Sequence, residues 1–255
     1  LELYYGDLCA NLHVIGITGT NGKTSVASII SQLLIMEGCR VLQIGTGSVR
    51  YPNEIIEIHN TTPGCFQLAN YFRRAHKEQI THVVMEVSSH AIDQNRISFL
   101  HFDDIVYTNI TQDHLDYHLS RVHYRYTKFK LRRYLKPQGT ILYNSDVSYM
   151  QELVNLAQHA CISIGMQAAH FPLCDVSLSE RDLSFRLQGY DFHARLLGMV
   201  NVYNLAEAIV VVHRLGFSYE RLRKDCEKLL PVSGRMEVME VSGFTIWIDY
   251  AHTTA

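Results

Sequence analysis

The chain has 255 residues, a length that allows one large domain or two small ones. Hydrophobic residues make up 47% of it and charged residues 19%, and the net charge of −2 gives no electrostatic case for binding nucleic acid or an anionic membrane. No apolar run approaches the roughly 18–20 residues that span a bilayer, and the N-terminus lacks a signal-peptide pattern, so we expect no membrane insertion.

Six cysteines are scattered along the chain without a Cys-x-x-Cys pair. This spacing indicates neither a zinc site nor a disulfide framework. Unpaired thiols suit a reducing compartment, and we expect a cytoplasmic protein. The sequence begins at Leu1 rather than Met and stops at Ala255 just after an apolar strand, so we also expect a piece of a longer chain.

The first strong pattern is an apolar run at 12–17, then a glycine loop, then a helical pattern from Val26 to Met36. In this strand–loop–helix context, backbone N–H groups and the helix N-terminus cradle phosphate oxygens. The strict phosphate-loop pattern is not met, because Ile17 stands where its first glycine belongs. An ordinary strand-to-helix turn with a chance Gly-Lys-Thr is the alternative.

Each part of the loop has an expected role in nucleotide binding. Gly19 and Gly22 would allow positive φ and a close approach of the backbone to phosphate. Lys23 would reach the outer phosphates, and the Thr24 hydroxyl would ligate Mg²⁺. The predicted nucleotide-binding residues are Gly19, Thr20, Asn21, Gly22, Lys23, Thr24 and Ser25.

Beyond the loop, predicted strands and helices alternate as far as residue 158. The predicted strands are Arg40–Ile44, Thr81–Val87, Asp104–Tyr107 and Thr140–Tyr143. The predicted helices are Phe66–His76, Val122–Leu135 and Val147–Gln158. A hairpin-like excursion is expected at 51–60. Such alternation predicts an α/β fold: a phosphate-loop-containing, mostly parallel, doubly wound sheet.

The pattern changes after Cys161. Short strands at 171–178, 183–187 and 192–196 predict a small antiparallel sheet appended to the α/β core. Two helices should follow, and then a hairpin with Ser242-Gly243 as its turn. The predicted elements are helices Val202–Leu215 and Tyr219–Leu229 and strands Met236–Val241 and Thr245–Ile248.

Two further clusters lie where predicted strands end. Glu86 follows an apolar strand, and a carboxylate there could be a second Mg²⁺ contact beside Thr24. The alternative is a helix whose N-cap is a serine at 88 or 89, with a glutamate nearby. The segment 113–118 holds two carboxylates and two imidazoles, and His114 could be a metal ligand.

Several motifs in register are specific to one family. Together they resemble the ATP-dependent Mur ligases of peptidoglycan synthesis, and among them the type that adds the third amino acid; the resemblance covers nearly the whole chain. The motifs are Gly19-Thr20-Asn21-Gly22-Lys23-Thr24, Asn60-Thr61-Thr62-Pro63, Glu86-Val87-Ser88-Ser89-His90-Ala91, Thr108-Asn109, Asp113-His114-Leu115-Asp116-Tyr117-His118, Asn201-Val202-Tyr203-Asn204, Gly234-Arg235-Met236-Glu237 and Asp249-Tyr250-Ala251-His252-Thr253.

The resemblance implies a three-domain enzyme, of which this chain would be the middle. Residues 1–11 would be a lead-in, 12–234 the central ATP-binding domain, and 235–255 the start of a C-terminal domain. The implied reaction activates a carboxylate of UDP-N-acetylmuramoyl-L-Ala-D-Glu as an acyl phosphate, which the amine of diaminopimelate or lysine then attacks. The implied cofactors are ATP and Mg²⁺, a monomer is expected, and the fragment alone should be inactive.

The resemblance also implies residue roles. Lys23 would hold the β- and γ-phosphates, and Asn21 would lie near the transferred phosphoryl group. Thr24 and Glu86 would bind a first Mg²⁺; His114, supported by a carbamylated Lys128, would bind a second. Arg235 would lie near the nucleotide phosphates. The substrate-binding set would be Asn60, Thr61, Thr62, Ser88, Gln94 and Arg96.

Three positions depart from the family pattern: Thr127 replaces alanine, Arg132-Arg133 replaces an apolar pair, and Thr254 replaces proline. The competing hypotheses are a folylpolyglutamate- or cyanophycin-synthetase-like ligase and a nucleotide-binding module without catalysis. A GTPase would need an Asn-Lys-x-Asp motif, which the sequence lacks.

Overall fold

A computed structural model describes residues 6–111, 113–241 and 244–250 of the chain. Strands and helices alternate through its first half, as the sequence predicts. The elements are β1 (His13–Thr18), α1 (Lys23–Met36), β2 (Val41–Gly45), β3 (Ser48–Tyr51), β4 (Glu54–Glu57), α2 (Cys65–Lys77), β5 (His82–Glu86), α3 (Ser89–Asp93) and β6 (Phe102–Tyr107).

The second half begins with short helices and ends with a hairpin. Its helices are α4 (Leu115–His118), α5 (Arg121–Phe129), a 3₁₀ turn (Lys130–Tyr134), α6 (Met150–Val154), α7 (Met199–Arg214) and α8 (Tyr219–Cys226). Its strands are β7 (Leu135–Asn144), β8 (Ala160–Gly165), β9 (Phe171–Leu178), β10 (Leu183–Leu187), β11 (Tyr190–Ala194), β12 (Glu237–Val241) and β13 (Phe244–Ile248).

One sheet of eleven strands, in the order β11-β10-β9-β8-β7-β6-β1-β5-β2-β3-β4, organises the described residues. The strands from β9 to β2 in this order are parallel to one another. Antiparallel pairs extend the sheet at both ends, through β10 and β11 beside β9 and through β3 and β4 beside β2. The predicted mostly parallel sheet with an antiparallel extension is confirmed. The extension joins the parallel strands through the pairs Ile164–Phe171 and Gly165–Pro172.

Alternate residues of the central strands enter two separate hydrophobic cores. In β1, Val14 packs with α2 and α5 on one face, while Ile15 packs with α1 and α7 on the other. β5 shows the same division, with Met85 on the first face and Val84 on the second. Because successive side chains of a strand point to opposite faces, a sheet covered on both sides needs continuous apolar strands.

The helix predicted at 122–135 is wrong at its end. Helix α5 stops at Phe129, a 3₁₀ turn follows, and β7 already starts at Leu135. The strand contains Pro137 because its register with β6 shifts between Phe102 and Asp104, so the proline lies in an irregular stretch where its missing N–H is not needed. An ion pair at 2.8 Å between Lys136 and Asp103 holds this stretch against β6.

Two other predictions near this region also fail. The helix predicted at 147–158 is reduced to α6, where Met150 is the one buried side chain among those described. Strand β8 was not predicted, since its first half is only partly buried and its apolar signal is short. Both errors come from segments whose apolar pattern is too brief to indicate a period.

The C-terminal hairpin has the predicted form. β12 and β13 pair antiparallel from Glu237–Ile248 to Val241–Phe244. Its predicted turn, 242–243, lies outside the described residues, as do the lead-in residues 1–5 and residues 251–255. Within the described part of the chain, no helix combines the length and apolarity needed to cross a bilayer.

Candidate active site

The candidate site lies where the carboxyl ends of β1, β5 and β6 meet. Three neighbouring parallel strands end here, and the chain leaves each of them in a loop that carries predicted site residues. The backbone pairing continues past the strands: Val87 N–H donates to Ile17 O at 2.8 Å, and Thr108 N–H donates to Thr18 O at 3.0 Å. In open α/β sheets, ligands bind at this edge.

The glycines of the loop are required by its conformation and by its neighbours. Gly22 has φ 86° immediately before α1, and a Cβ there would lie 2.6 Å from Asn204 Oδ1. A Cβ on Gly19 would collide with Thr108 Oγ1 and lie 2.8 Å from Asn109 O. At both glycines the close neighbours are groups of other loops and of α7, and the approach of this backbone to phosphate stays a prediction.

A clamp from the β6 loop holds Asn21 through its backbone. Asn109 Oδ1 accepts a hydrogen bond from Asn21 N–H at 2.9 Å, and Asn109 Nδ2 donates to Asn21 O at 3.0 Å. Thr108 Oγ1 donates to the same Asn21 oxygen at 2.6 Å. On α7, Asn201 Oδ1 accepts from Asn204 Nδ2 at 2.9 Å and so orients it toward Gly22.

Sequence reasoning assigned no site role to the clamp residues Thr108 and Asn109, nor to Asn204. All three residues belong to motifs that carry the family resemblance, so the sequence contained a signal for them. Their role, however, depends on which loops the fold brings together.

Two lysine side chains converge on one carbonyl oxygen. Lys23 Nζ donates to Gly19 O and to Thr20 O, each at 2.9 Å. Lys128 Nζ donates to the same Gly19 oxygen at 2.8 Å and lies 4.8 Å from the centroid of the Tyr124 ring. Tyr124 in turn reaches the loop, with its hydroxyl 3.2 Å from Thr20 Oγ1.

Burial disfavours the charged form of both lysines. Desolvation lowers the pKa of Lys23, and the nearby Glu86 carboxylate opposes this. Desolvation, and then the charge of Lys23, hold the pKa of Lys128 well below its usual value. A bound phosphate would stabilise both charged forms, which is the electrostatic condition for an anion site.

Glu86 is fully buried at the end of β5, and its carboxylate accepts hydrogen bonds from threonines. Its Oε2 accepts from Thr24 Oγ1 at 3.0 Å, and its Oε1 accepts from Thr46 N–H at 2.9 Å. A Cβ on Gly45 would collide with the carboxylate, so glycine there makes room for it. Burial raises the pKa of Glu86, while Lys23 and these hydrogen bonds lower it.

The donors at this point suit Mg²⁺. Thr24 and Glu86 offer hard oxygen atoms, and Mg²⁺ commonly takes one or two carboxylates with the rest of its ligands from phosphate and water. Arg235 Nη2 lies 3.5 Å from Thr24 Oγ1, close to the same place. Ser25 is buried in the first turn of α1.

The second predicted metal ligand stands apart from this pair. His114 has φ 49°, its Nε2 lies 3.3 Å from Asp113 Oδ2, and its ring lies 4.8 Å from that of His90. None of its described contacts is to Thr24 or Glu86. Among the described residues, no group of three or more His, Cys, Asp or Glu side chains is arranged to hold a metal ion. The second metal site stays a prediction.

Most of the predicted substrate set forms one network against Glu86. Thr62 Oγ1 donates to Glu86 O at 2.9 Å and accepts from Ser88 N–H at 3.0 Å. Arg96 Nη1 donates to Thr62 O at 2.9 Å, and its Nε donates to Gln94 Oε1 at 2.9 Å.

The two remaining members of the set lie in the loop before α2. Thr61 Oγ1 is 3.1 Å from Thr46 Oγ1, and Asn60 is exposed. Ser88 also caps α3, because its hydroxyl accepts a hydrogen bond from Ala91 N–H at 3.2 Å. The segment therefore contains the helix cap that was the alternative interpretation, and it also places Glu86 beside Thr24.

The fold and this site define a phosphate-loop α/β domain of the kind found in ATP-dependent acid–amino-acid ligases. The chain belongs to the Mur ligase family, because the family model of the Mur ligase middle domain matches residues 17–212.

Two relatives are UDP-N-acetylmuramoyl-L-alanyl-D-glutamate–2,6-diaminopimelate ligases. The protein from Geobacter sulfurreducens is 34% identical over 269 aligned positions, which cover 98% of this chain and 52% of the relative. The one from Geobacillus kaustophilus is 34% identical over 265, covering 99% and 54%. The chain thus spans about half the length of the curated relatives it matches.

Solved structures show the same relationship. A structure of a UDP-N-acetylmuramoyl-L-alanyl-D-glutamate–2,6-diaminopimelate ligase superposes with a TM-score of 0.84 at 28% identity, covering 99% of this chain and 53% of that one. MurF from Thermotoga maritima in complex with ADP shares the fold, with a TM-score of 0.73 at 20% identity over 97% of this chain and 56% of that one.

Proposed function

We propose that the chain is the central ATP-binding part of a ligase that adds the third amino acid to UDP-N-acetylmuramoyl-L-Ala-D-Glu in peptidoglycan synthesis. One observation carries the proposal: Lys23 lies on the phosphate loop while the neighbouring Thr24 contacts the buried Glu86. A lysine on the loop beside a hydroxyl and a carboxylate is what phosphoryl transfer with Mg²⁺ requires.

Each group at the site has a role in this proposal. Lys23 leaves the loop carbonyls to hold the outer phosphates of ATP, and Asn21 lies beside the transferred phosphoryl group. Thr24 and Glu86 hold Mg²⁺, which would neutralise the charge of the phosphates. Arg235 adds positive charge beside Thr24.

The remaining roles come from the family pattern. His114 and a carbamylated Lys128 hold a second metal ion, and carbamylation would replace a poorly solvated cation by an anion. The substrate network from Thr61 to Arg96, with Asn60, positions the carboxylate that becomes the acyl phosphate. Holding the two reactants together supplies much of the rate enhancement in such a step.

The relatives' names bear on the amino acid. The curated relatives and the solved structure at 28% identity are named for 2,6-diaminopimelate, so we propose this amino acid, with lysine as the alternative. The enzyme is proposed to be a cytoplasmic monomer that acts on soluble precursors. Another ligase of the Mur or folylpolyglutamate type is the second candidate, and a nucleotide-binding module without catalysis is the third.

The proposed domain limits are 1–11 for a lead-in, 12–234 for the ATP-binding domain and 235–255 for the start of a C-terminal domain. Their support is the hairpin, where every residue of β13 is exposed, including Phe244 at 74% and Trp247 at 53%. Exposed apolar strands of this kind are normally covered by further protein.

Calorimetry with ATP, in the presence and absence of Mg²⁺, tests the proposal. The chain should bind ATP, and Lys23→Ala should weaken binding at least about tenfold because the charged hydrogen bonds to phosphate are lost. Lys228→Ala is the matched control: this lysine pairs with Asp225 beyond the far end of α1 and should leave affinity unchanged. Equal affinity of wild type and Lys23→Ala would contradict the proposal.

Turnover is tested on a longer chain that includes the flanking domains. Phosphate release should require both the UDP-linked dipeptide and an amino acid, and diaminopimelate should be preferred to lysine. Release with folate and glutamate instead would favour the second candidate. ATP binding without turnover in the longer chain would favour the third.

A further inference from the structure

Thr46, which follows β2, joins the two halves of the candidate site. Its N–H donates to Glu86 Oε1 at 2.9 Å, and its hydroxyl donates to Glu86 Oε2 at 3.2 Å. The same hydroxyl lies 3.1 Å from Thr61 Oγ1 in the substrate network. It therefore contacts a proposed metal ligand on one side and a proposed substrate residue on the other.

The hydrogen bonds that join Thr61, Thr46 and Glu86 have a defined direction of donation. A carboxylate only accepts, so Thr46 must use its single hydroxyl proton toward Glu86. Thr46 Oγ1 can then only accept from Thr61, whose hydroxyl becomes the donor. The order is thus Thr61 to Thr46 to Glu86, and each bond polarises the next.

A cation between Thr24 and Glu86 would change only part of this arrangement. The Thr24 hydroxyl now donates its proton to Glu86 Oε2. To face a cation with its oxygen, it must turn that proton away, and the carboxylate loses this donor. Thr46 is not itself a proposed metal ligand, so its two hydrogen bonds to Glu86 can persist when a cation binds. These two bonds would then keep the carboxylate oriented.

A second connection runs in parallel through the backbone. Thr62 Oγ1 donates to the carbonyl oxygen of Glu86 at 2.9 Å, and Arg96 donates to Thr62 O at 2.9 Å. Of the adjacent threonines of this loop, Thr62 contacts the carbonyl oxygen of Glu86 directly, and Thr61 reaches its carboxylate through Thr46. A shift of this loop on binding substrate would move Glu86 at both points.

We propose that Thr46 is a positioning residue that holds Glu86 for Mg²⁺ and links the metal site to the substrate loop through Thr61. The inference rests on the proposed function, since it takes Glu86 to be a metal ligand. Thr46 is exposed, so loss of its hydroxyl leaves no buried cavity and should not disturb folding.

The test is the Thr46→Val variant, which keeps the backbone N–H and the side-chain shape but removes the hydroxyl. The readout is the ratio of ATP affinities with Mg²⁺ and with EDTA, measured by calorimetry. We expect the Mg²⁺-dependent gain in affinity to fall about fivefold, the effect of one hydrogen bond to a charged group, while affinity in EDTA stays within about twofold. Thr46→Ser should restore the wild-type ratio.

Thr81→Val is the matched control. Thr81 stands just before the other end of β5, where its hydroxyl donates to Arg40 O at 3.1 Å. It should lose a comparable hydrogen bond without changing the ratio. A fall in the ratio for Thr81→Val as well would show a general loss of stability and overturn the proposal.

Two further variants test whether Thr61 acts through Thr46, and Thr46 through Glu86. In a Glu86→Gln background, Thr46→Val should have no additional effect on the ratio, because Thr46 acts through the carboxylate. Thr61→Val should lower the ratio by less than Thr46→Val, and should have no effect once Thr46 is valine. Independent, additive effects would overturn the proposal.

The failure of this inference differs from the failure of the proposed function. Lys23-dependent binding of ATP with an unchanged ratio in Thr46→Val would overturn the role of Thr46 alone. Absence of any ATP binding by the folded wild-type chain would overturn both.

Discussion

At the scale of single residues, the site is a group of ionisable side chains held away from water. Lys23, Lys128 and Glu86 all have pKa values displaced by desolvation toward their neutral forms. Their hydrogen bonds go to loop carbonyls and threonines, which are weaker partners than phosphate or a cation. A bound phosphate near the lysines, or a cation near Glu86, would favour the charged form of each group, and this gain would be part of the affinity.

His82, at the opposite edge of the sheet, should make the free energy of unfolding depend on pH. Desolvation, and then the neighbouring His13, lower the pKa of His82 from 6.5 to about 4. The unfolded chain therefore binds this proton more tightly than the folded one. Stability is fully present above pH 6.5 and is lost as the pH falls toward 4.

The variant His82→Gln should remove this dependence. We expect the free energy of unfolding of wild type to fall by about 1–2 kcal/mol more than that of His82→Gln between about pH 7 and pH 4.5, after a discount for the exposed part of the ring. Urea titrations at the two pH values measure it. A fall in the stability of His82→Gln as large as that of wild type would contradict the assignment.

At the scale of elements, helix α1 has a glycine at each end for different reasons. Gly22 and Gly38 have almost the same φ, 86° and 85°. At Gly38 no atom of the described residues lies within 4 Å of the position that a Cβ would take, whereas at Gly22 Asn204 Oδ1 is 2.6 Å from it. The C-terminal glycine thus serves helix termination alone, while the N-terminal one also makes room for α7.

The pair Gly22→Ala and Gly38→Ala separates these two effects. Gly38→Ala should lower the free energy of unfolding by about 1 kcal/mol, the cost of a left-handed alanine, and leave ATP affinity unchanged. Gly22→Ala should lower it by at least about 1 kcal/mol more, because Asn204 must move, and should weaken ATP binding. Urea denaturation and calorimetry measure the two quantities, and equal results for both variants would contradict the contact with Asn204.

At the scale of the whole molecule, the described residues form one two-faced sheet and a separate exposed hairpin. The central sheet buries apolar side chains on both faces, whereas β13 buries none. The hairpin meets the rest at a few points, such as Tyr250 N–H to Gly234 O at 3.0 Å. A two-stranded hairpin has little stability of its own, so its behaviour should differ from that of the sheet.

Trp247, the single tryptophan of the chain, reports on this difference. At 53% exposure its fluorescence should be quenched by acrylamide nearly as readily as that of a free tryptophan derivative. Its emission should also change little at the urea concentration where far-ultraviolet circular dichroism shows the sheet and helices unfolding. Trp247→Phe should leave the circular dichroism transition in place; coincident transitions by both probes would contradict a separate hairpin.

Much of this arrangement is predictable from the sequence because it is local. The strand–glycine–helix pattern places Lys23 and Thr24 at the start of α1, and continuous apolar runs predict β5 and β6 as buried parallel strands. Glu86 was predicted to lie across from Lys23 and Thr24, because the carboxyl ends of parallel strands share one edge of the sheet. The short, half-exposed segments β8 and α6 were missed or overextended because a few apolar residues define no period.

The rest was decided by the tertiary structure. Chain order does not state that β1 lies between β6 and β5, and only that order brings Asn109 to Asn21 and Lys128 to Gly19. Asn204 on α7 and Thr46 after β2 also reach the site through contacts between segments that are far apart in the chain. The sequence by itself determined which residues are predicted to bind phosphate and metal. The packing of distant loops decided which others hold them in place, because hydrogen bonds between such loops exist only once the sheet has formed.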